Sequence, residues 1–143
     1  QSEAATGKSF VKYWLHAGHL AVEGEKMSKS KGNYYRVVDL IKKGYEPLAL
    51  RYLFLTTSYR KEMNFTFKSM QAAQRAYTEL TDRIVEIKQS TKTSKRTSLS
   101  EEKLSKVDDW REKFMESIND DLNTAACLAV LWRVIKSNIP SND

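Results

Sequence analysis

The fold class is decided by residues 46–88, EPLALRYLFLTTSYRKEMNFTFKSMQAAQRAYTELTDRIVEIK. Pro47 suits the first turn of a helix, and the residues after it are apolar nearly all round, which predicts a buried helix. Residues 58–66 interrupt this pattern and predict a loop, at whose end Thr66 is a candidate N-cap. The long helix expected after Thr66 carries a single apolar stripe. Its members are Met70, Ala73, Tyr77, Leu80, Ile84 and Ile87. The stretch therefore predicts a mainly helical fold.

Upstream of this stretch, the sequence predicts the end of a strand-containing unit. Residues 10–16, FVKYWLH, predict either a strand or a short helix, and residues 19–22 predict a short strand that enters a tight turn. Residues 26–33, KMSKSKGN, lack any apolar periodicity and predict a loop. Apolar residues with helical spacing return over residues 37–41, before Gly44, which is a typical helix stop.

Downstream, a polar segment separates the long helix from two further helices. Residues 88–100, KQSTKTSKRTSLS, are of low complexity and predict a linker. Ser98 begins a capping-box pattern ahead of the next helix. Residues 119–123, NDDLN, interrupt that helix, and Asn123 or Thr124 caps the last one. These helices predict an antiparallel bundle.

Composition narrows the class of protein. The chain has 143 residues, of which 41% are hydrophobic, and this is enough for a packed core. Its single cysteine excludes an internal disulfide framework and a multi-cysteine zinc module. No apolar run approaches the roughly 20 residues of a membrane helix, and no secretory signal is visible. We therefore expect no membrane partner.

The basic charge is concentrated in two segments. The formal net charge is +6, from 24 Lys and Arg against 18 Asp and Glu. Residues 26–43 hold six basic residues and one acid, and residues 88–98 hold four basic residues and no acid. Such clusters are typical of a protein with an acidic partner, such as a nucleic acid or a nucleotide, although solvated helix faces give the same composition.

The most specific feature is the loop sequence Lys26-Met27-Ser28-Lys29-Ser30. Two lysines three residues apart in a polar loop allow both ammonium groups to converge on one polyanion. At about 4 Å and an effective dielectric constant near 20, one contact with a phosphate oxygen is worth roughly 4 kcal/mol before desolvation. The serines add hydrogen-bond donors. From composition alone, an ordinary solvated loop is the simpler interpretation.

Several segments resemble one known family, in the same order along the chain. KMSKS followed by x-G-N resembles the signature loop of class I aminoacyl-tRNA synthetases. Residues 13–33, YWLHAGHLAVEGEKMSKSKGN, are similar to the cysteinyl-tRNA synthetase version of that segment. Residues 46–66 resemble its stem-contact region, with an Ala-Leu-Arg signature at residues 49–51. Residues 118–131, INDDLNTAACLAVL, resemble the DDLNTPxAL stretch of its helical domain.

The resemblance implies a fold, an activity and a set of partners. It implies the end of a nucleotide-binding α/β domain over residues 1–33, a stem-contact helical segment over residues 34–66 and an antiparallel helical bundle over residues 67–143. The activity implied is that of a cytoplasmic ligase that activates cysteine with ATP and magnesium and transfers it to tRNA(Cys). The implied partners are ATP, cysteine, tRNA(Cys) and the rest of the parent polypeptide.

The resemblance also assigns roles within the loop. Lys29 is implied to contact the ATP phosphates and to stabilise the transition state, and Lys26 is implied as a second catalytic cation for the same charge. Ser28 and Ser30 complete the ATP-binding segment. Met27 belongs to that segment, but we expect it to anchor the loop against the protein body.

The sequence departs from the family pattern at three places. Lys31 stands where the family commonly has Leu, and Arg36 stands where a capping Thr is common. We therefore expect the helix after Arg36 to start less cleanly. Ala125 and Ala126 replace the usual Pro-Glu at the start of the last helix.

Four other side chains have both a functional and a structural interpretation. Trp14 and His16 either line the approach to the amino-acid site or pack as ordinary side chains. Arg51 and Arg60 either face the tRNA or pair with acids, and we favour the structural interpretation.

The metal ligands common in proteins are sparse in this chain. Asp120 and Asp121 suggest a metal site or an acid–base pair, but roles in a cap and turn are favoured. Cys127 lies on an apolar helical face and predicts a core residue. His16 and His19 are three residues apart without thiolate or carboxylate partners at suitable spacing, so we expect no metal site.

Two family features are missing from the sequence. It contains no HIGH motif, and it opens with QSEA at residues 1–4, whereas the zinc-ligand segment of the family precedes an IAQSEA-like run. The zinc of the parent enzyme is therefore expected to have its ligands outside this chain, and the isolated chain is predicted to be inactive. Two alternatives remain: a stand-alone basic RNA-binding helical module, and part of a related ligase that joins cysteine to an amino sugar.

Overall fold

A computed structural model describes residues 1–93 and 100–137 and confirms the mainly helical fold. In chain order, its elements are α1 Ser2–Thr6, β1 Leu20–Val22, β2 Glu25–Lys26, α2 Val37–Lys42, α3 Pro47–Leu55, β3 Met63–Phe65, α4 Phe67–Thr93, α5 Glu101–Asn119 and α6 Thr124–Ile135. Among these described residues, no helix combines the length and the apolarity that a membrane crossing needs.

The three strands form one small sheet in the order β2-β1-β3. Strands β1 and β2 form an antiparallel hairpin whose turn residues, Glu23 and Gly24, both have positive φ angles, of 50° and 80°. Two positive φ angles are what the favoured two-residue hairpin turn requires. Strand β3 pairs in parallel with β1, with Ala21 opposite Asn64. The prediction of a loop over residues 58–66 was therefore wrong for β3, because a three-residue strand exists only through its pairing with a distant segment.

The core joins the sheet to helices α3, α4 and α6. Val22, Ala49 and Met70 are almost completely buried, with exposures of 1%, 0% and 0%. Trp132 of α6 donates its indole N–H to the hydroxyl of Tyr52 on α3 at 2.8 Å. Because one buried cluster includes residues from the sheet, α3 and α4, the core runs across the predicted segment boundaries at residues 33 and 66.

Helix α3 is buried on one face rather than all round. Ala49, Tyr52 and Leu53 face the core, whereas Leu48 and Phe54 are 52% and 43% exposed. The prediction of a fully buried helix was therefore wrong within the described residues, where α3 packs mainly against α4 and more lightly against α2 and α6. Its starting position is as expected, since Pro47 is the first helical residue.

Side-chain caps mark the starts of α4 and α6. The hydroxyl of Thr66 accepts a hydrogen bond from the Ser69 N–H at 3.0 Å, which confirms the predicted cap of α4. The Asn123 side chain accepts from the Ala126 N–H at 3.2 Å and caps α6.

The arginine at the N-cap of α2 is held by a carboxylate in the first turn of the helix. The Arg36 backbone N–H donates to Asp39 at 2.9 Å, and its guanidinium donates two further hydrogen bonds to the same carboxylate. The side-chain hydrogen bond from Arg36 lowers the pKa of Asp39 to about 2. The Arg36 side chain makes no cap hydrogen bond to the first turn of α2, and the contacts with Asp39 instead tie the N-cap residue to the helix.

Two further segments differ from the sequence predictions, and a third lies outside the described residues. Residues 10–16 form neither a strand nor a helix, and Tyr13 and Trp14 are 91% and 70% exposed. Helix α4 continues to Thr93, so the first part of the predicted linker over residues 88–100 is helical. Residues 94–99, which include Ser98 of the capping-box pattern, lie outside the described residues, and α5 starts after Ser100.

Candidate functional site

The candidate site is the loop that connects β2 to α2. Lys26 is the last residue of β2, so the hairpin carries the KMSKS sequence directly into the loop. Lys26, Lys29 and Ser30 are exposed, and Ser28 is half-buried. Met27 is also half-buried and packs against the core cluster, as expected of a residue that anchors the loop.

Hydrogen bonds within the loop give it a defined shape. The Asn33 side chain accepts from the Ser28 N–H at 2.8 Å and donates to the Lys26 carbonyl at 3.2 Å. The Gly32 N–H donates to the Lys29 carbonyl at 3.2 Å, and the Ser28 and Ser30 hydroxyls are 2.8 Å apart. Asn33 therefore closes the base of the loop, and the Gly32–Lys29 hydrogen bond forms a turn at its tip. Together these bonds fix the backbone at both lysines.

Both predicted cationic residues are available to an anion. Neither Lys26 nor Lys29 forms an ion pair with any residue that the structure describes. The Lys29 ammonium lies 5.4 Å from the centroid of the Tyr34 ring, a contact that leaves its hydrogen-bond donors open. Lys31, in contrast, is paired with Glu25 at 3.0 Å. The added positive charge of Lys31 is therefore partly compensated, while the two KMSKS lysines keep theirs.

Trp14 and His16, the other candidate residues of the N-terminal segment, contact each other. Trp14 and His16 stack on each other, with ring centroids 5.9 Å apart, and both are exposed. Across residues 1–93 and 100–137, no three His, Cys, Asp or Glu side chains come together as a metal ion would require. The described residues therefore do not fit a resident metal such as the zinc that the resemblance implies, and we assign no metal to them.

Arg60 and Asp121 form an ion pair that the sequence analysis did not identify as a pair. The Arg60 guanidinium donates to both carboxylate oxygens of Asp121, one of them at 3.0 Å, and the Tyr59 hydroxyl donates to the same carboxylate at 2.6 Å. The structural interpretation of Arg60 is confirmed, whereas Arg51 is exposed on α3. The pair joins the loop after α3 to the turn between α5 and α6.

The turn held by Asp121 is strained. Asp121 and Leu122 have φ angles of 50° and 56°, in the left-handed region that costs non-glycine residues energy. Asp120 ends α5, and Asn123 caps α6, so the NDDLN stretch serves as a helix end, a turn and a cap. Cys127 is buried as predicted, and its thiol approaches the Phe114 carbonyl at 3.8 Å.

Protonation of Asp121 provides a test of this pair. Hydrogen bonds from Arg60 and Tyr59 hold the pKa of Asp121 below its usual value. A lowered native-state pKa contributes stability that is present above the unfolded pKa and is lost as the pH falls through the native pKa. We expect Asp121→Asn to unfold at lower urea concentration than the original chain at pH 7, and we expect this difference to shrink below about pH 4.

The measurement is urea unfolding of both chains at pH 7 and at acidic pH. Asp120→Asn is the matched control, because Asp120 is exposed and forms no ion pair with a described residue. A difference between Asp121→Asn and the original chain that stayed the same at both pH values would contradict a role for the ionised carboxylate.

Comparison with known proteins identifies two family matches along the chain. Residues 1–75 match the family described as tRNA synthetases class I (C) catalytic domain, and residues 113–137 match the DALR domain. The first match contains the loop, the sheet and α3. The second covers the end of α5, the strained turn and α6.

Curated relatives extend the similarity over nearly the whole chain. The cysteine–tRNA ligase of Brachyspira hyodysenteriae is 42% identical over 137 residues, which cover 96% of this chain and 29% of that protein. The cysteine–tRNA ligase of Legionella pneumophila strain Corby is 40% identical over 145 residues, covering 99% of this chain and 29% of that protein. This chain therefore spans about three tenths of the length of these relatives. With the family match over the loop-bearing half, the chain belongs to the cysteinyl-tRNA synthetases of class I.

Proposed function

We propose that this chain is part of a cysteine–tRNA ligase, to which it contributes the KMSKS loop and helices that contact tRNA(Cys). The observation that carries the proposal is the pair of exposed lysines, free of ion pairs with described residues, on a loop closed by Asn33. The loop lies inside the region that matches the catalytic domain of the family. ATP, cysteine and tRNA(Cys) are the partners that follow from this proposal, and the cytoplasm is the corresponding location.

The chemistry assigned to the loop is stabilisation of a leaving group. A carboxylate oxygen of cysteine attacks the α-phosphorus of ATP, the bond to pyrophosphate breaks, and negative charge accumulates on the pyrophosphate. Lys29 and Lys26 place ammonium groups where they neutralise that charge. Contacts that strengthen in the transition state raise the turnover number rather than substrate binding alone. A hydroxyl of the terminal ribose of the tRNA then attacks the carbonyl carbon of the cysteinyl adenylate, an ester forms, the acyl–phosphate bond breaks and AMP leaves.

The exposed segment before the sheet fits a larger protein. Phe10, Tyr13, Trp14 and Leu15 are all more than 60% exposed, an unusual run of large apolar side chains for a free surface. We propose that they pack against other parts of the ligase. Because the chain has no HIGH motif and the described residues have no metal cluster, we expect the 143-residue chain alone not to activate cysteine.

The test uses the full-length protein that contains this chain. We expect it to catalyse cysteine-dependent ATP–pyrophosphate exchange and then to attach cysteine to tRNA(Cys). The 143-residue chain alone is the control and should show no exchange. Exchange followed by transfer of cysteine to an amino sugar instead of tRNA would assign the chain to the related ligase. Absence of cysteine-dependent exchange in the full-length protein would overturn both assignments.

Its net positive charge favours one second candidate, a basic RNA-binding module. The formal net charge is +6, and residues 26–43 form a basic segment with six Lys and Arg residues and one acid. Such binding would weaken steeply with salt, because each neutralised phosphate releases counterions. For the isolated chain, we expect weak binding that does not distinguish tRNA(Cys) from other RNA, measured as a shift in gel mobility between low and physiological salt.

A further inference from the structure

We propose that Glu23 is a positioning residue that fixes the KMSKS loop to helix α4. This inference rests on the proposed function, because it concerns how the loop lysines reach the ATP phosphates. Glu23 lies in the turn of the β1–β2 hairpin, and the loop begins where β2 ends. Glu23 itself is assigned no contact with a substrate.

The backbone of Glu23 is the first observation. Its φ angle of 50° lies in the left-handed region, although Glu is a longer side chain than the Asn, Asp or Gly that such turns favour. Residues held in this region cost stability and persist where the surrounding structure requires them. A glutamate in this place therefore calls for a role that its carboxylate performs.

The carboxylate has such a role at the start of α4. Its Oε1 accepts a hydrogen bond from the Phe67 N–H at 3.1 Å. Phe67 is the first residue of a 27-residue helix, where unpaired N–H groups and the helix dipole favour a negative charge. Thr66 satisfies a different donor, the Ser69 N–H, so the two side chains cap the helix together.

Two further hydrogen bonds tie the same turn to β3. The Glu23 N–H donates to the Phe65 carbonyl at 2.9 Å, and the Gly24 N–H donates to the Asn64 side chain at 2.8 Å. Three bonds therefore join two turn residues to the β3–α4 junction. Lys26 follows two residues after this turn, so the position of α4 is transmitted to the first lysine of the loop.

The direction of the effect follows from this connection. Helix α4 packs on α3 and α6, which belong to the helical part of the chain proposed to contact tRNA. Loss of the Glu23 carboxylate removes the bond between the hairpin turn and α4, one of these three bonds, without removing any lysine. Displacement of a catalytic group by about 1 Å is enough to lower a rate by up to about 100-fold, so turnover should fall while cysteine binding stays unchanged.

The experiment uses three substitutions in the full-length ligase. Glu23→Gly removes the carboxylate but relieves the positive φ angle, so it separates positioning from backbone strain. We expect it to lower kcat of ATP–pyrophosphate exchange by about tenfold, with KM for cysteine within about twofold. Glu23→Gln keeps an oxygen acceptor for the Phe67 N–H and should recover most of kcat. Glu25→Ala is the matched control, because Glu25 lies in the same hairpin and, among the described residues, forms its ion pair with the exposed Lys31.

A double-mutant cycle with Lys29→Ala decides whether Glu23 acts through the loop. We expect the combined variant Glu23→Gly, Lys29→Ala to lose little more than Lys29→Ala alone, because coupled residues are not additive. Provided that Lys29→Ala shows its expected loss, two results would overturn the positioning role. One is a fully additive loss in the combined variant, and the other is an unchanged kcat of the Glu23→Gly enzyme. If Lys29→Ala itself kept full exchange, the proposed function of the loop would fail instead.

Discussion

Replacing Lys29 by alanine in the full-length ligase is expected to lower cysteine-dependent ATP–pyrophosphate exchange by about 30- to 150-fold. This corresponds to a loss of about 2–3 kcal/mol of transition-state stabilisation, at roughly 1.4 kcal/mol per tenfold. The reason is that Lys29 is exposed, forms no ion pair with a described residue and keeps its ammonium donors open above Tyr34. The loss should appear mainly in kcat, because charge on the pyrophosphate develops during the reaction.

Steady-state exchange kinetics of the purified enzymes provide the measurement. Lys31→Leu is the matched control, since Lys31 lies in the same loop, is paired with Glu25, and is replaced by the residue that the family commonly has there. Lys26→Ala should cause a smaller loss than Lys29→Ala. An enzyme with Lys29→Ala and unchanged exchange would show that the loop lysine does not act on the phosphates.

The helices could be predicted from the sequence because their information is local. Met70, Ala73 and Leu80 recur at helical spacing, and all three are buried along α4. Pro47 and Thr66 mark helix starts through their own backbone and side-chain chemistry, and the structure places α3 and α4 there. The KMSKS loop is local as well, because five adjacent residues resemble the family signature, although their composition alone predicts only a solvated loop.

Contacts between distant residues could not be predicted from those patterns. Arg60 and Asp121 are 61 residues apart, and either side chain alone reads as an exposed charge. Strand β3 has three residues, too few to show alternation, and its pairing with β1 creates it. The sequence likewise predicts Glu23 only as a turn residue, and the structure adds its hydrogen bond to the start of α4. The candidate site therefore has a local part, the lysines, and a non-local part, the contacts that hold the hairpin.

Gly18 is the glycine at which an added Cβ should most strongly disrupt the contacts that hold the hairpin. A Cβ at Gly18 would lie 2.6 Å from the carbonyl carbon of Lys61, and closer still to its oxygen, so the backbone there has to move. The Gly18 N–H donates to the Tyr59 carbonyl at 2.6 Å, and next to it the Met63 N–H donates to the His19 carbonyl at 3.0 Å. Both bonds align β3 with β1, and β1 carries the hairpin.

We expect Gly18→Ala to destabilise the chain by about 3 kcal/mol, at the upper end of the cost of overpacking, because the neighbour at Lys61 is backbone and cannot rotate away. Urea unfolding measures the loss, and hydrogen exchange at the Met63 amide reports whether the β1–β3 pairing opens.

Gly44→Ala is the control. Apart from its chain neighbours, no atom of the described residues lies within 4 Å of the added Cβ, so only the strain of its φ angle of 86° remains, worth about 1–2 kcal/mol. Because that strain is confined to the end of α2, Met63 should stay protected in Gly44→Ala and lose protection in Gly18→Ala. Equal protection of Met63 in both variants would show that the close approach at Gly18 does not hold the β1–β3 pairing.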